Sequence, residues 1–194
     1  MPPKTRATVT PLHFTIPGVA ERDAESIVTL LQGRLDALND LALTLKHIHW
    51  NVIGPHFIAV HTMLDPQVDA VRLMVDETAE RIATLGGSPI GTPGALVANR
   101  SWDDYSVGRA DAIAHLGALD VVYDGVIAAH REAIDATEES DPVTQDMLID
   151  QAGQLEQFHW FVRAHLENGD GSLATRGAAT ERTAARKTTR AVRR

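Results

Sequence analysis

Residues 49–81 read HWNVIGPHFIAVHTMLDPQVDAVRLMVDETAER. Three histidines and five acidic side chains lie in an otherwise apolar, helix-periodic background. On a helix advancing about 100° per residue, Asp65, Asp76 and Glu80 fall roughly 40°, 60° and 100° from His61. All four share about one quarter of one helix. Imidazole and carboxylate on a single stripe suit iron, zinc or manganese. His61 and Asp65 are one turn apart, about 6 Å along the axis, and so are Asp76 and Glu80. His61 and Asp76, however, are separated by about 22 Å and cannot touch the same ion. An antiparallel second copy of the helix, with its two-fold axis near Ala70 or Val71, would place one chain's first pair against the other's second pair. Such an interface makes two identical sites at once. Asp69 would lie near the axis. The competing reading is a solvated helix face, because charges at every fourth position are common. Pro66 is expected to kink the helix or to start it.

The run His49-Trp50, Gly54, Phe57, His61, Asp65 and then Asp76-Glu77-x-Ala79-Glu80-Arg81 resembles the Dps family, the DNA-binding proteins from starved cells, within the ferritin-like superfamily. The likeness extends over roughly Ala24 to Leu166. It implies an all-α, ferritin-like four-helix bundle with a short helix in the long connection between helices 2 and 3. It also implies a ferroxidase site, with His49, His61 and Asp65 from one subunit and Asp76 and Glu80 from its two-fold partner. The expected function is ferroxidation and iron storage: Fe(II) is oxidised, preferably with hydrogen peroxide, and ferric mineral is kept in a hollow dodecameric shell. Iron, as Fe2+ and Fe3+, is the metal expected, without haem. Trp50 is expected beside the site, where an oxidisable ring intercepts stray radicals. Asp141, Asp146 and Asp150 are candidates for an ion-entry pore. The competing account of these three is helix-dipole stabilisation.

Four helices follow from apolar periodicity and stop signals. The first runs from an Asp23 N-cap to about Val52, before Gly54-Pro55. The second runs from Phe57 or Ile58 to Leu85, before Gly86-Gly87. A long connection follows, with one or two helical turns from Pro93 to Asn99. It would let the third helix, Val107 to Thr137, run parallel to the second. The fourth starts at Asp141-Pro142 and closes at Gly169. The domain reading is an extended arm over 1–22, a bundle over 23–169 and a basic, disordered tail over 170–194. His47 faces away from His49, and His115 and His130 read as structural. Glu156-x-x-His159 occurs once, where di-iron cages within one bundle need it twice. It reads as helix-surface pairing.

The chain's formal charge of −8 is uneven. Residues 174–194 hold seven Lys or Arg against one Glu, a net +6, so the remainder carries −14. An acidic body collects cations, while a basic tail meets polyanions. Arg176, Arg182, Arg186, Lys187, Arg190, Arg193 and Arg194 suit non-specific contacts to DNA phosphate. A chain ending near Ser172 is expected to lose DNA binding and keep iron oxidation. The absence of cysteine excludes disulfides and thiolate metal sites. The first residues lack the apolar core of a signal peptide, and no run is read as long enough to span a bilayer. The expectation is a cytoplasmic, nucleoid-associated homo-oligomer with no membrane partner. Two other classes compete: a nucleoid-compacting structural protein with an incidental iron site, and an unrelated metallohydrolase. The second lacks a general base or nucleophile beyond the ligands themselves.

Overall fold

The computed structural model describes residues 12–192. The element order is α1 (Glu21–Asn51), β1 (Val52–Ile53), α2 (Phe57–Thr84), α3 (Pro93–Asn99), β2 (Ala110–Asp111), α4 (Ala112–Thr137), α5 (Pro142–Ala164) and α6 (Glu181–Val192). The helices α1, α2, α4 and α5 are the bundle, and α3 is the short helix of the connection. Their apolar stripes meet in one large core, in which Leu38, Leu45, Val60, Leu64, Leu116, Leu119, Tyr123 and Leu155 are all at most 2 % exposed. A second cluster closes one end with Ile27, Leu31, Leu35, Ile82, Leu85 and Leu148. Each such side chain contributes about 1.5–3 kcal/mol on burial.

Several boundaries differ from the sequence expectation. Helix α1 starts three residues earlier, behind an Ala20 N-cap, so Asp23 lies in the first turn, where its charge faces the dipole's positive end. Helix α2 runs straight through Pro66. The carbonyl deprived of a donor there belongs to Thr62, and both residues are exposed, so water can satisfy it. Helix α4 starts at Ala112 rather than Val107, because residues 110–111 are held extended by parallel pairing with Val52 and Ile53. The carbonyl of Val107 is likewise taken by His47 Nε2 at 3.0 Å. Helix α5 ends at Ala164, short of Asn168. Helix α4 is also long and apolar enough, by length and composition, to cross a membrane, contrary to the sequence reading. Its apolar side chains serve the core between α1, α5 and α6.

The crossover is tied down rather than loose. Gln32 clamps the main chain of Ile90 with two hydrogen bonds of 2.9 Å, and Asn99 reaches Asp36 at 3.2 Å. The described part of the N-terminal arm is held too. His13 N–H donates to Gly86 O at 3.0 Å, and Leu12, Ile16 and Val19 pack on the second core cluster. Gly86 adopts φ +87°, and a Cβ there would come 1.9 Å from Phe14 O. Residues 1–11 and the arm's basic groups Lys4 and Arg6 lie outside the described residues.

The expectation of a disordered tail is corrected over most of its length. Thr175 is buried, and α6 lies along α4 with Ala184, Ala185 and Thr188 buried. These side chains are small, so contact requires close approach. Gly117 permits it: a Cβ at that position would lie 2.7 Å from Thr188.

His115 and His130 are structural, as expected, and fully buried. His115 Nδ1 meets Tyr105 OH at 3.0 Å, and His130 Nε2 meets Gln151 Oε1 at 3.3 Å. Burial pushes both imidazoles down to about 4 from the ordinary 6.5. Below pH 6.5 the unfolded chain takes up protons that the folded chain refuses. Stability should therefore fall between pH 6.5 and 4, by roughly 3 kcal/mol for each histidine. Denaturant titrations at pH 6.5 and 4.5 measure this, and His130→Gln should flatten the pH slope. An unchanged slope in that variant would contradict the assignment.

Candidate metal centre

Three of the five proposed ligands meet where the end of α1 crosses the start of α2. His49 Nδ1 lies 2.9 Å from the carbonyl of His61, and His61 Nδ1 lies 2.9 Å from the carbonyl of His49. A carbonyl only accepts, so each Nδ1 carries the proton and each Nε2 keeps a free lone pair. This is the orienting bond that metal-binding histidines generally need. The two rings stack with centroids 3.5 Å apart, and Phe57 lies 4.9 Å from His61. Local sequence explains the crossing. Gly54, at φ +97°, turns the chain between the helices, and the short β1–β2 pairing fixes the exit from α1.

Asp65 Oδ1 is 3.3 Å from His49 Nδ1 and 3.2 Å from Lys46 Nζ. The hydrogen bond from Lys46, backed by its charge, holds this carboxyl below its ordinary range. Asp65 is thus ionised and half-exposed, ready to exchange its lysine for a cation. Lys46 was not anticipated from the sequence. Its only local signal is a position one turn before Trp50, over whose ring the ammonium sits at 5.8 Å. Trp50 itself is 72 % exposed, beside the site rather than in the core.

Asp76 and Glu80 are exposed further along α2 and do not join the other three within one chain. The stripe they share with His61 and Asp65 also presents Ile58 and Leu73 to the outside, while α1 presents Leu43 and Trp50. Large apolar side chains exposed beside unpaired carboxylates mark a surface built for contact.

Among the described residues, a different set forms the tightest potential ligand group: Asp120, Asp124 and His159, with ligand atoms within 4.8 Å of one another. This cluster is already neutralised. Arg163 donates to Asp120 at 2.9 Å and to Asp124 at 2.7 Å, while Thr175 donates to Asp120 at 2.6 Å. A cation there would have to displace a guanidinium, so the arrangement reads as a structural network. It also corrects the reading of the Glu156-x-x-His159 pair. His159 is buried against Asp120 at 2.7 Å, while Glu156 pairs with Arg131 at 2.6 Å.

The pore candidates divide. Asp141 is 2 % exposed and caps α5, accepting from Val143 N at 3.2 Å, from Thr144 and from Arg81 Nη2 at 2.5 Å. Burial alone would raise its pKa, but the Thr144 and Arg81 hydrogen bonds and the Arg81 charge hold it lowered. It is fully engaged inside the chain, and the pore assignment for Asp141 is withdrawn. Arg81 is thereby paired with Asp141. Asp146 and Asp150 are exposed on α5, and Asp150 accepts from Gln154 at 2.9 Å. Of the basic tail, Arg176, Arg182, Arg186 and Arg190 are exposed. Lys187 donates to the carbonyl of Arg176 at 2.6 Å. Arg193 and Arg194 lie outside the described residues.

A bundle of this order, with two histidines and a carboxylate where its first helices cross, defines a ferritin-like protein. Residues 28–172 match the model of the ferritin-like domain. The chain is 58 % identical over 177 residues to the DNA protection during starvation protein of Mycolicibacterium smegmatis, covering 91 % of this chain and 97 % of the relative. It is 50 % identical to the fine tangled pili major subunit of Haemophilus ducreyi, over 82 % of this chain and 84 % of that one. The solved structure of DpsA14 from Streptomyces coelicolor superposes with a TM-score of 0.84 at 61 % identity, covering 86 % of this chain and 99 % of that chain. The chain belongs to the Dps branch of the ferritin-like family.

Proposed function

We propose that the protein oxidises ferrous iron at sites shared between two-fold related subunits and stores the ferric product in a hollow shell, twelve chains being the expected number. The observation that carries this reading is the mutual clamp of His49 and His61, which leaves both Nε2 atoms free beside an ionised Asp65. Asp76 and Glu80 of a second copy would complete the ligand set. Hard carboxylates favour the ferric product, and imidazoles complete a mixed site with open positions. Two ferrous ions reduce one hydrogen peroxide with two protons, giving two ferric ions and two waters. Pairing the electrons in this way releases no hydroxyl radical, and Trp50 stands nearby to take a stray oxidising equivalent. Asp146 and Asp150 remain candidates for guiding ferrous ions inward. Apo-protein mixed with ferrous salt and peroxide should develop ferric absorbance faster than with dioxygen. A strictly monomeric species in sedimentation would defeat the shared-site reading.

Protection of DNA, in the cytoplasm and at the nucleoid, follows from consuming peroxide and iron together. The name of the Mycolicibacterium smegmatis relative, DNA protection during starvation protein, points the same way. Direct binding is favoured by a separate observation. Arg182, Arg186 and Arg190 stand at successive turns of α6, all exposed, about 6 Å apart along its axis. An ordered arginine row contacts phosphates without reading bases, and many copies on one shell multiply weak contacts. Truncation at Ser172 would also strip the cover from Ala114 and Ala118. Replacing the three arginines with glutamine is the cleaner test. The triple variant should retain iron oxidation, require more protein to retard plasmid, and lose about 0.9 from the salt-dependence slope for each phosphate contact removed per chain. Equal retardation by both proteins would relieve α6 of this role.

A further inference from the structure

A cavity of about 710 Å³ lies between α1 and α4, on the side covered by the crossover and the head of α6. This volume falls in the range of small-molecule sites, about 300–1,000 Å³. Its floor is apolar, with Ala37 and Leu41 from α1 opposite Val122 and Val126 from α4. None of the proposed iron ligands lines it. Four carboxylates do: Asp40, Asp103, Asp104 and Glu181. Arg100 bridges two of them, 3.2 Å from Asp40 and in contact with Asp104. Glu181 accepts from Ser106 N at 2.7 Å and Asp103 stands exposed, neither of them paired with a cation among the described residues. Even with Arg100, Arg34 and Arg182 all set against the four, the cavity keeps one uncompensated negative charge.

Thr44 stands on α1 one turn after Asp40 and lines the same cavity, although it is only 6 % exposed. A threonine inside a helix commonly bonds the carbonyl four residues back, as Thr29 does at 2.9 Å and Thr62 at 2.7 Å. Thr44 makes no such bond, and its hydroxyl has no hydrogen-bond partner among the described residues. Nor is that oxygen sealed from solvent, so it opens on the cavity. A hydroxyl this deep and unspent is costly in an apolar surround. It offers an acceptor beside Asp40, whose two oxygens take bonds from Arg100 at 3.2 Å and Trp102 Nε1 at 2.8 Å. Each carboxylate oxygen keeps a further lone pair. The rings of Trp102 and Tyr105 stand in the same lining, and aromatic faces beside carboxylates suit an organic cation.

We propose that this cavity binds a small apolar amine in its protonated form, with the ammonium donating to Asp40 and Thr44 and the hydrocarbon body lying between α1 and α4. A primary ammonium carries several donors on one charge, and that charge balances the lining. The apolar body fills space that water occupies poorly. A neutral alcohol of the same shape gains only the second contribution, a carboxylate meets repulsion, and a hydrated metal ion gains nothing from the apolar floor. The site is independent of the iron ligands, so its failure would leave the ferroxidase reading untouched.

The test uses the assembled protein and dansylcadaverine, a fluorescent primary ammonium, with octylammonium, octanol and octanoate as competitors. The expected result is saturable binding, displaced by octylammonium at a concentration about tenfold or more below that needed of octanol, and not by octanoate. Thr44→Val keeps the shape and removes the hydroxyl, and should weaken probe binding about fivefold, the worth of one hydrogen bond. Thr44→Ser returns the hydroxyl and should bind within about twofold of the unaltered chain. Gly125→Leu supplies a variant that does not touch the polar groups. Gly125 lines the cavity, and a Cβ there meets nothing within 4 Å. The larger side chain should obstruct the mouth and weaken binding about tenfold or more without disturbing the helix. An amine held merely by the acidic body would be indifferent to these changes. Absence of saturable binding, equal displacement by octylammonium and octanol, or unchanged affinity in Thr44→Val or Gly125→Leu overturns the proposal.

Discussion

Apo-protein carrying His61→Ala, mixed with ferrous salt and peroxide, is expected to oxidise iron on the order of 100-fold more slowly than the unaltered chain, and Asp76→Ala should do the same. The decisive result comes from mixing the two inactive proteins. Disassembled and reassembled together, they should regain activity. In a mixed pair, one site inherits both defects. The other takes its histidines from the Asp76→Ala chain and its carboxylates from the His61→Ala chain, and is intact. Random pairing makes half the dimers mixed, so about one quarter of the sites should recover. Ferric absorbance after rapid mixing measures this. If reassembled mixtures stay as inactive as their components, the ligands are not shared between chains.

The second large effect concerns stability. Asp120→Ala should cost roughly 3–5 kcal/mol, because it leaves Arg163, His159 and Thr175 facing a vacant acceptor in a buried place. Asp120→Asn should cost less, since it keeps shape and one acceptor. Burial opposes ionisation of Asp120, but hydrogen bonds from His159, Thr175 and Arg163 outweigh it and bring the group to about 2 from 3.8. The folded pKa is the lower one. The stabilisation is therefore complete above about pH 4 and is lost as the pH falls toward 2. Thr175 begins the path to α6, so loosening it should expose the tail. Limited trypsin digestion should cut at Arg176 or Arg182 much sooner in Asp120→Ala. A digestion pattern and denaturation midpoint matching the unaltered chain would show that the network does not anchor the tail.

The two cases show what a one-dimensional reading reaches. His61 and Asp65 are neighbours by helical repeat, so their spacing alone announces a shared face. The same arithmetic separates them from Asp76 and Glu80 and calls for a second chain. The four bundle helices and the short helix from Pro93 were legible for the same reason: each is a local period between local stops. Asp120 and His159 are 39 positions apart on different helices. No period links them, and their pairing exists only after α4 and α5 have packed. The tail failed for a related reason. Ala184, Ala185 and Thr188 are too small to suggest a buried face, and the partner that makes them adequate is the bare backbone at Gly117. The end of α4 near Val107 was misplaced because two residues of parallel pairing outweighed helical propensity there.

The reciprocal bonds between His49 and His61 bear on how a newly made chain becomes competent. Each ring is anchored by the main chain of the other's residue, so both imidazoles are oriented before any neighbour arrives. If the proposed shared site is right, a lone subunit differs from a finished half-site chiefly in where the Asp65 carboxylate rests, on Lys46 or on an incoming ion. Capture of the first cation and recruitment of the second polypeptide become separable events, and the rotamer entropy of two rings is already spent when they meet.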